Sequence, residues 1–482
     1  MSTLDIQTSH NPEAGYIEPV VIQRLMKLGD LVVFALLSFA LTRYFVGMVN
    51  VFELTVAVFN AWLAATANVF LLRQTYHYGI RKLLSPWPSV LTAGVVVIAA
   101  GGGVWCVLHF GFFGLTLDWF WGWCLSALAY VFASRALFKF MARPAERDGR
   151  FVRRIAIVGG GQHAEDVLNL LEESARNQIE VIGIFDDRKD SRSPDSVKKY
   201  QKLGTVSDLH DYARHNRIDQ IIVTIPQTAE VRLLQVLKRL WELPIDIRIS
   251  ALSSKLRLQP RSYSYIGSLP LLDAFDRPLA GWNEFTKNIF DRCAATLMLI
   301  MLSPVLAAVA IAIRLESKGP VIFRQKRYGF NNELITVFKF RSMYTDLCDR
   351  NASKLVTKDD PRVTRVGRFI RKTSLDELPQ LANVVLGTMS LVGPRPHAIS
   401  AKADNHLYED VVDGYFARHR IKPGITGWAQ VNGYRGETDT REKIEGRVKL
   451  DLEYINKWSI LFDIYIILMT PFSLLFKNEN AY

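Results

Sequence analysis

The chain has 482 residues, of which 49% are hydrophobic, and a formal net charge of +12 at pH 7. This length predicts about three domains, and the positive charge indicates anionic partners such as a membrane surface or phosphorylated substrates. Nucleic acid is not an expected partner, because the basic residues are interleaved with carboxylates and no nucleic-acid-binding signature occurs. The four cysteines include no Cys-x-x-Cys pair, so neither a zinc site nor a disulfide framework is expected.

The N-terminal region has the pattern of a membrane protein. Residues 1–23 are polar and predict a flexible tail, because a signal peptide needs a basic start and a short apolar core. Domain 24–142 then holds four apolar segments, each close to the roughly 20 residues that cross a bilayer. They cover residues 31–49, 54–72, 90–110 and 117–137. These segments predict a four-helix transmembrane bundle, with Trp119, Trp121 and Trp123 in an aromatic belt at the interface.

The distribution of charge predicts the orientation of this bundle. Lysine and arginine flank its two ends and the loop between its second and third segments, whereas the other two loops contain few of them. By the positive-inside rule, both ends of the bundle are expected to be cytoplasmic.

Residues 143–275 predict a cytoplasmic Rossmann-like α/β domain that follows a basic linker at 143–154. Predicted strands begin at Arg154 and recur at 181–185, 220–225 and 245–249, with helices at 165–173 and 229–241. Alternation of strands and helices is typical of a doubly wound parallel sheet.

A glycine loop follows the first of these strands. Its pattern, Gly159-x-Gly161-x-x-Ala164, suits a nucleotide pyrophosphate, with Asp186 or Asp187 placed to reach a ribose. The motif fits a structural or regulatory remnant of such a site equally well.

The uncharged run Cys293–Ile313 contains Ser303-Pro304 near its middle. Proline removes a backbone donor and crowds the preceding turn, which predicts a sharp bend with Ser303 bonding a freed carbonyl. A fifth crossing would place residues 314–482 outside the cell, although basic residues flank the run on both sides. The prediction is therefore a re-entrant helix over 285–313 in a mostly α-helical, monotopic domain at 276–482. A kinked full span is the alternative.

The acid pair Asp376-Glu377 stands just before Pro379, a residue that suits the first turn of a helix. A helix beginning near Asp376 would keep that carboxylate ionised and would attract phosphate and a divalent cation. The alternative is simple capping, because Ser374-x-x-Glu377 has the spacing of a capping box.

Short basic runs containing glycine or proline surround this pair. They cover residues 324–329, 339–343, 393–397 and 422–433. Arginine forms paired hydrogen bonds with phosphate, and glycine lets backbone amides approach an anion. Together the runs predict a site for several phosphates at a membrane surface, and the apolar stretch 460–476 is expected to lie at the interface.

The motifs after residue 281 resemble those of the bacterial polyprenyl-phosphate hexose-1-phosphate transferases, in their large membrane form. The matching motifs are Ser303-Pro304, Lys339-Phe-Arg-Ser-Met343, Ser374-Leu-Asp-Glu-Leu-Pro-Gln380, Val392-Gly-Pro-Arg-Pro396 and Pro423-Gly-Ile-Thr-Gly-Trp-Ala-Gln-Val-Asn-Gly433. The four-span bundle and the α/β domain also match the layout, and the ending Asn480-Ala-Tyr482 resembles the glucose-transferring branch. After His397 the chain departs from the pattern, with alanine and isoleucine where relatives carry another histidine.

This resemblance implies an enzyme of the bacterial inner membrane with its catalytic domain on the cytoplasmic face. The enzyme would transfer hexose-1-phosphate from UDP-hexose to undecaprenyl phosphate and release UMP, as the first membrane step of exopolysaccharide or capsule synthesis. Glucose is the favoured hexose and galactose the alternative. The resemblance further implies Mg²⁺ as the cofactor, no need for NAD in catalysis, and a chain compatible with a homodimer.

The resemblance also assigns roles to individual residues. Asp376 is the nucleophile that forms a covalent phosphosugar-aspartate, and Glu377 helps it to hold Mg²⁺. The candidate phosphate contacts are Arg324, Lys339, Arg341 and Arg395. Gln430 and Asp451 are candidates for orienting the substrate or the cation.

Two other classes of protein are considered. A membrane-bound NAD-dependent nucleotide-sugar dehydratase needs a Tyr-x-x-x-Lys pair after the glycine loop, whereas here that spacing occurs only at Tyr78 and Lys82, ahead of the loop. A scaffold for polysaccharide assembly is the non-enzymatic alternative for the first 275 residues.

Overall fold

The computed structural model describes most of the chain. The described residues are 15–46, 51–110, 116–175, 179–188, 194–226, 228–252, 263–266, 269–344, 360–397, 402–403, 406–407, 412, 415–434 and 440–476. The fold divides into two compact units, Met1–Val152 and Arg153–Tyr482.

The first unit is helical. Its helices are α1 (Pro19–Val46), α2 (Val51–Gln74), α3 (Ile80–Leu84), α4 (Pro86–Leu108) and α5 (Leu117–Arg147). All except α3 are long and apolar enough to cross a membrane, which confirms the predicted apolar segments. Helix α1 begins inside the predicted tail, of which residues 1–14 lie outside the described ranges. Helix α5 continues through Pro144 to Arg147, so the predicted linker is wrong over 143–147.

The predicted tryptophan belt is wrong for two of its three members. Trp119 and Trp123 are fully buried and stack on each other with ring centroids 6.0 Å apart. The Trp119 indole N–H donates to Thr42 Oγ1 at 3.1 Å. Only Trp121 is exposed. Residues four apart share one helix face, so Trp119 and Trp123 turn inward together while Trp121 turns outward.

A buried ion pair joins α1 to α5. Arg135 donates from Nη1 to Asp30 Oδ1 at 3.0 Å and from Nη2 to Asp30 Oδ2 at 2.7 Å. The hydroxyl groups of Tyr78 and Tyr130 also donate to Asp30, at 2.8 Å and 2.9 Å. Because Asp30 is fully buried, these four bonds compensate a charge that would otherwise be very costly in an apolar bundle.

We expect Asp30→Asn to destabilise the bundle, because removing one partner of a buried ion pair costs about 3–5 kcal/mol. Thermal unfolding of the full chain in detergent micelles should show a clearly lower apparent Tm. Asp118→Asn makes the same chemical change at an exposed position of α5 and should have little effect. Equal apparent Tm values for the two variants would show that the buried pair does not stabilise the bundle.

The second unit opens with an α/β region. Its elements are β1 (Arg153–Val158), α6 (Gln162–Ala175), β2 (Ile179–Phe185), β3 (Ser196–Val197), β4 (Tyr200–Gly204), α7 (Val206–His215), β5 (Gln220–Val223), α8 (Glu230–Leu240), β6 (Asp246–Ser250), β7 (Tyr263–Ile266) and β8 (Leu269–Phe275). The strands form one sheet in the order β3-β4-β2-β1-β5-β6-β8-β7. The five central strands, β4, β2, β1, β5 and β6, pair in parallel. At the two edges, β3 pairs with β4, β8 with β6 and β7 with β8, each in antiparallel orientation.

The two faces of this sheet carry separate apolar cores. Ala156 and Val158 of β1 pack with residues of α7 and α8, whereas Ile155 and Ile157 pack with residues of α6. Successive strand residues point to opposite faces, so helices cover both sides. The predicted doubly wound parallel sheet is confirmed for its centre. The antiparallel outer strands were not predicted.

The rest of the second unit is mostly helical, as predicted. Its elements are α9 (Gly281–Glu316), β9 (Ile322–Tyr328), β10 (Leu334–Phe340), α10 (Arg365–Lys372), α11 (Gln380–Leu386), β11 (Ser390–Val392), β12 (Lys402–Ala403), β13 (His406–Leu407), β14 (Gly424–Thr426), α12 (Trp428–Val431), α13 (Arg441–Lys457) and α14 (Ile460–Phe476). Short 3₁₀ segments lie at Phe330–Asn332, Leu375–Glu377 and Tyr415–Arg420.

Helix α9 is a fifth helix long and apolar enough to cross a membrane. The predicted helix–break–helix is a single helix in the structure, since α9 continues through Ser303 and Pro304. The Ser303 hydroxyl donates to the Ile300 carbonyl at 2.8 Å. That carbonyl is the one that Pro304 leaves without its usual donor, so the predicted role of Ser303 is confirmed. The bend and the re-entrant path remain predictions.

Candidate active site

The hairpin of β9 and β10 decides which basic side chains share one face. In its antiparallel register Lys339 lies opposite Phe323, and Arg327 lies opposite Ile335. Since side chains alternate along a strand, Arg327 and Lys339 point to the same face. Arg324 lies opposite Phe338 and points to the other face, where it is exposed and sits over that ring at 5.9 Å. Arg327, and not the predicted Arg324, therefore lines the same cleft as Lys339.

The acid pair lies in the 3₁₀ turn Leu375–Glu377, and α11 begins only at Gln380. The prediction that a helix opens at Asp376 is therefore too early. Ser374 has a φ of 59° and no capping hydrogen bond from its side chain, so the predicted capping box does not form. The Glu377 side chain, the other half of that box, pairs with Lys339 and Arg395 instead.

Glu377 accepts hydrogen bonds from two cations. Lys339 Nζ donates to Oε1 at 2.9 Å, and Arg395 donates to both carboxylate oxygens, at 2.9 Å for Nη1 to Oε2. Burial alone would raise the pKa of Glu377, but the charges of Arg395 and Lys339 outweigh burial and hold that pKa well below its usual range. Glu377 is thus a fixed anion that joins β10 to the segment after β11.

Asp376 differs from Glu377 in its partners and in its pKa. Among the described residues, no cation forms an ion pair with it. Burial, together with repulsion from Glu377, raises the pKa of Asp376 to about 6. The expectation that a helix dipole keeps this group ionised is therefore wrong in direction, because desolvation dominates and α11 begins further along. Near neutral pH the carboxylate is still mostly ionised, as a nucleophile must be.

A small cleft, open to the surface, lies beside this pair. It is lined by Arg327, Val337, Lys339, Gln380, Arg395 and Pro396. Burial and the neighbouring Arg395 lower the pKa of Arg327 to about 10, so its guanidinium stays protonated at neutral pH. Such a cleft suits phosphate groups, because guanidinium and ammonium donors form charge-assisted hydrogen bonds with phosphate oxygens.

Asn383 fixes α11 against the hairpin. It accepts from the Phe338 N–H at 2.9 Å and donates to the Thr336 carbonyl at 2.7 Å. The side chain thus pairs two backbone groups of β10, and it holds the turn that carries Asp376 next to Lys339.

Arg341 was predicted to contact phosphate, but in the structure its side chain contacts backbone carbonyls. Its guanidinium is buried and donates to the carbonyls of Lys318 at 3.1 Å and Ser317 at 2.8 Å. These groups lie at the C-terminal end of α9, where carbonyls lack partners within the helix. Arg341 therefore caps α9.

Asp451 and Gln430 were predicted to orient the substrate or cation, but both are buried in the structure. Asp451 pairs with Arg418 at 2.6 Å, and Arg418 Nη2 donates to the Arg395 carbonyl at 3.0 Å. Asp451 thus supports the backbone of a cleft residue from behind. Gln430 donates to the Ile425 carbonyl at 3.4 Å.

Three residues of the site were missed in the sequence. Arg327 belongs to a basic run that was recognised, but its face depends on the hairpin register. Gln380 stands three residues after Glu377, at the start of α11, and lines the cleft. Arg418 carries no local signal, because its partner Asp451 is 33 residues away.

The glycine loop of the α/β region adopts left-handed backbone, with φ of 105° at Gly159 and 78° at Gly161. Ala164 is buried in α6 behind this loop. The Gly160 N–H donates to Asp186 at 2.8 Å, and Asp186 also pairs with Arg188 at 2.7 Å. A carboxylate of this chain thus accepts from an amide of the loop, and nucleotide binding there remains a prediction.

These features define a class of protein: a membrane-helix-containing enzyme with an acid pair and a cationic cleft for phosphate groups. The sequence profile for bacterial sugar transferases matches residues 282–477, and that for a CoA-binding domain matches residues 75–251. The chain belongs to the bacterial sugar transferase family and is a phosphotransferase, which confirms the resemblance and sets aside the dehydratase alternative. The scaffold alternative for the first 275 residues stays a prediction.

Three curated relatives illustrate the similarity. The undecaprenyl-phosphate glucose phosphotransferase of Komagataeibacter xylinus is 41% identical over 74% of this chain and 66% of the relative. The UDP-glucose:undecaprenyl-phosphate glucose-1-phosphate transferase of Escherichia coli is 41% identical over 70% of both chains. The Klebsiella pneumoniae protein of the same name is 38% identical over 88% of this chain and 91% of the relative.

The state of Asp376 predicts how activity depends on pH. With a pKa of about 6, the carboxylate form of Asp376, the predicted nucleophile, is lost as the pH falls through that value. We expect kcat/KM to drop roughly tenfold per pH unit below it and to level off above it. A pH series of initial transfer rates measures this. A rate that stays constant down to about pH 5 would contradict a raised pKa on the essential carboxylate.

The buried position of Asp451 predicts a stability defect. Asp451→Asn leaves Arg418 buried without its partner and should cost about 3 kcal/mol or more, which lowers the apparent Tm. Glu445→Gln breaks an exposed pair with Arg441 on the same helix and serves as the matched control. If Asp451→Asn instead abolished transfer at an unchanged Tm, the result would support the prediction that Asp451 contacts the substrate.

Proposed function

We propose that this protein transfers glucose-1-phosphate from UDP-glucose to undecaprenyl phosphate and releases UMP, as the first membrane step of exopolysaccharide or capsule synthesis. One observation carries the proposal. Of two adjacent carboxylates, Glu377 is held by two cations, while Asp376 is left without an ion pair among the described residues, beside a cleft with three cations. The names of the relatives support these substrates.

In the first step, an Asp376 oxygen attacks the sugar-bearing β-phosphorus of UDP-glucose. The bond from that phosphorus to the bridging oxygen breaks, and UMP leaves with the electron pair. In the second step, an oxygen of the lipid phosphate attacks the same phosphorus and releases Asp376. The covalent phosphosugar-aspartate divides one transfer into two, so ping-pong kinetics follow.

The cations of the cleft stabilise the transferred group. Lys339, Arg395 and Arg327 are fixed donors for the phosphoryl oxygens, where charge is concentrated during transfer. Glu377 positions Lys339 and Arg395 through its ion pairs rather than contacting the substrate. Asp376 is thereby the only member of the pair available as a nucleophile.

Of the two predicted Mg²⁺ ligands, Asp376 has fewer competing contacts than Glu377. Mg²⁺ binds one or two carboxylates together with substrate phosphates and waters. The Glu377 oxygens already accept three hydrogen bonds from Lys339 and Arg395, which leaves them little capacity for a metal ion. Within the described ranges, no group of three or more His, Cys, Asp or Glu side chains forms a metal site. A bound Mg²⁺ would supply further charge neutralisation at the diphosphate.

The membrane geometry completes the proposal. Helix α9 enters the inner membrane from the cytoplasmic side and returns to it, which keeps the cleft beside soluble UDP-glucose. Basic residues on both sides of its apolar run favour this path over a crossing.

We expect Asp376→Asn to reduce transfer by roughly 10³-fold or more, because the amide is not a nucleophile. Glu377→Gln should be nearly as damaging, since it releases both cations. Purified protein, radiolabelled UDP-glucose and lipid phosphate give the rate as lipid-linked label. Normal turnover by a well-folded Asp376→Asn protein would remove the nucleophile assignment.

Arg395→Lys should lower the transfer rate about tenfold or more, because a point charge does not replace the paired guanidinium fork. Arg324→Lys makes the same change on the opposite face of the hairpin and should leave the rate within about twofold. An equal loss of transfer rate in the two variants would mean that Arg324 also contacts phosphate. The face on which the strand register places a side chain would then not decide whether it binds phosphate.

The donor is tested by release of UMP from UDP-glucose, UDP-galactose and UDP-N-acetyl sugars. The proposal expects the largest kcat/KM for UDP-glucose. A clear preference for UDP-galactose would replace glucose by the alternative hexose and leave the transfer reaction unchanged.

A further inference from the structure

The turn that joins β9 to β10 determines which side chains of the hairpin face the cleft. The turn sets the register of a hairpin, and a slip of one residue sends every side chain of the strand to the other face. Such a slip of β9 would turn Arg327 away from the cleft, which it lines together with Lys339. A contact that fixes the turn therefore acts on the cleft without touching it.

This turn has a backbone that needs support. Asn331 and Asn332 both lie in the left-handed region, with φ of 53° and 60°. That region is unfavourable for residues other than glycine, although asparagine adopts it more readily than most. The Gly329 N–H donates to the Glu333 carbonyl at 2.7 Å across the turn. Two consecutive left-handed residues persist when the surrounding structure also holds them in place.

His419 provides such support from a distant part of the chain. Its Nδ1 forms a hydrogen bond with Oδ1 of Asn332, which lies 87 residues earlier. Because an amide oxygen accepts, Nδ1 is the nitrogen that carries the proton. The His419 ring also stacks on the Tyr328 ring, with centroids 6.1 Å apart. Tyr328 directly follows Arg327 in β9, so His419 contacts the strand as well as the turn.

The state of His419 suits a supporting role. The residue is only 4% exposed. Burial, together with the charge of the neighbouring Arg418, holds the pKa of His419 well below its usual range. The ring is therefore neutral at pH 7 and does not act as a cation for phosphate. A neutral imidazole with its proton on Nδ1 remains a donor to Asn332.

The same 3₁₀ segment also supports a second cation of the cleft. Arg418 directly precedes His419 and donates to the Arg395 carbonyl at 3.0 Å. Consecutive residues of one short segment thus contact the backbone of Arg395 and the hairpin that carries Arg327. The relative position of these two guanidinium groups depends on this segment.

We propose that His419 is a positioning residue that holds Arg327 in the cleft through its contacts with Asn332 and Tyr328. His419 fixes the turn, the turn fixes the register of β9, and the register directs the Arg327 guanidinium towards the transferred phosphate. Preorganised donors of this kind stabilise charge without reorganising during the reaction. The inference rests on the proposed function, in which Arg327 donates to phosphoryl oxygens.

A double-mutant cycle of His419→Ala and Arg327→Gln tests this coupling, with kcat/KM for UDP-glucose as the measurement. Arg327→Gln by itself should lower kcat/KM roughly tenfold or more, because one fixed donor is lost. We expect His419→Ala to lower kcat/KM about tenfold in the unmodified protein but less than about twofold in the Arg327→Gln protein, since coupled residues are not additive. His215→Ala removes an exposed histidine of α7 and should leave kcat/KM within about twofold.

A further variant separates the loss of the hydrogen bond from the loss of the ring. His419→Asn keeps an N–H donor at the position of Nδ1, so kcat/KM should recover to within about threefold of the unmodified protein. The proposal is overturned if His419→Ala causes the same fractional loss in both backgrounds, because a general folding defect is additive. It is also overturned if His419→Asn is as impaired as His419→Ala, or if His419→Ala loses less than about twofold in the unmodified protein.

Failure of the proposed function gives a different pattern. Full activity of Arg327→Gln would show that Arg327 does not donate to phosphate, and the role of Arg327 would be withdrawn together with this inference. An impaired Arg327→Gln protein, with equal losses from His419→Ala in the two backgrounds, would overturn the inference alone and leave the role of Arg327 in place.

Discussion

The double ion pair of Glu377 is the interaction on which the candidate site depends. A carboxylate beside another carboxylate, away from water, is unfavourable unless cations compensate it. Lys339 from β10 and Arg395 from the segment after β11 provide that compensation. The same contacts bring together parts of the chain that lie far apart in sequence, and they leave Asp376 as a separate carboxylate of raised pKa. One arrangement thus builds the cleft and differentiates its two acids.

Several buried polar contacts hold the elements that carry this arrangement. Arg418, paired with Asp451, supports the Arg395 carbonyl, and Asn383 joins α11 to β10. Arg341 caps the end of α9 close to the start of β9. None of these side chains is assigned to the substrate, but each removes a freedom that the cleft residues would otherwise have. Fixed donors are effective in catalysis because they need little reorganisation as charge develops.

Helix α9 connects the site to the membrane. Its apolar residues are exposed over much of its length, whereas Lys287 is buried in an ion pair with Asp463 of α14. A charged residue held against the protein and an apolar surface turned outward are the expected arrangement for a helix that meets both protein and lipid.

The sequence by itself determined the apolar helices, the central strands, the acid pair and the role of Ser303, because these depend on local hydropathy, periodicity and backbone chemistry. Only the tertiary structure decided which basic residues face the cleft. Successive side chains of a strand point to opposite faces, so the register placed Arg327 towards the cleft and Arg324 away from it. Arg341 and Asp451 were likewise assigned by partners distant in the chain, at Ser317 and Arg418. A long polar side chain takes the partner that folding brings within reach, and a linear pattern does not contain that distance.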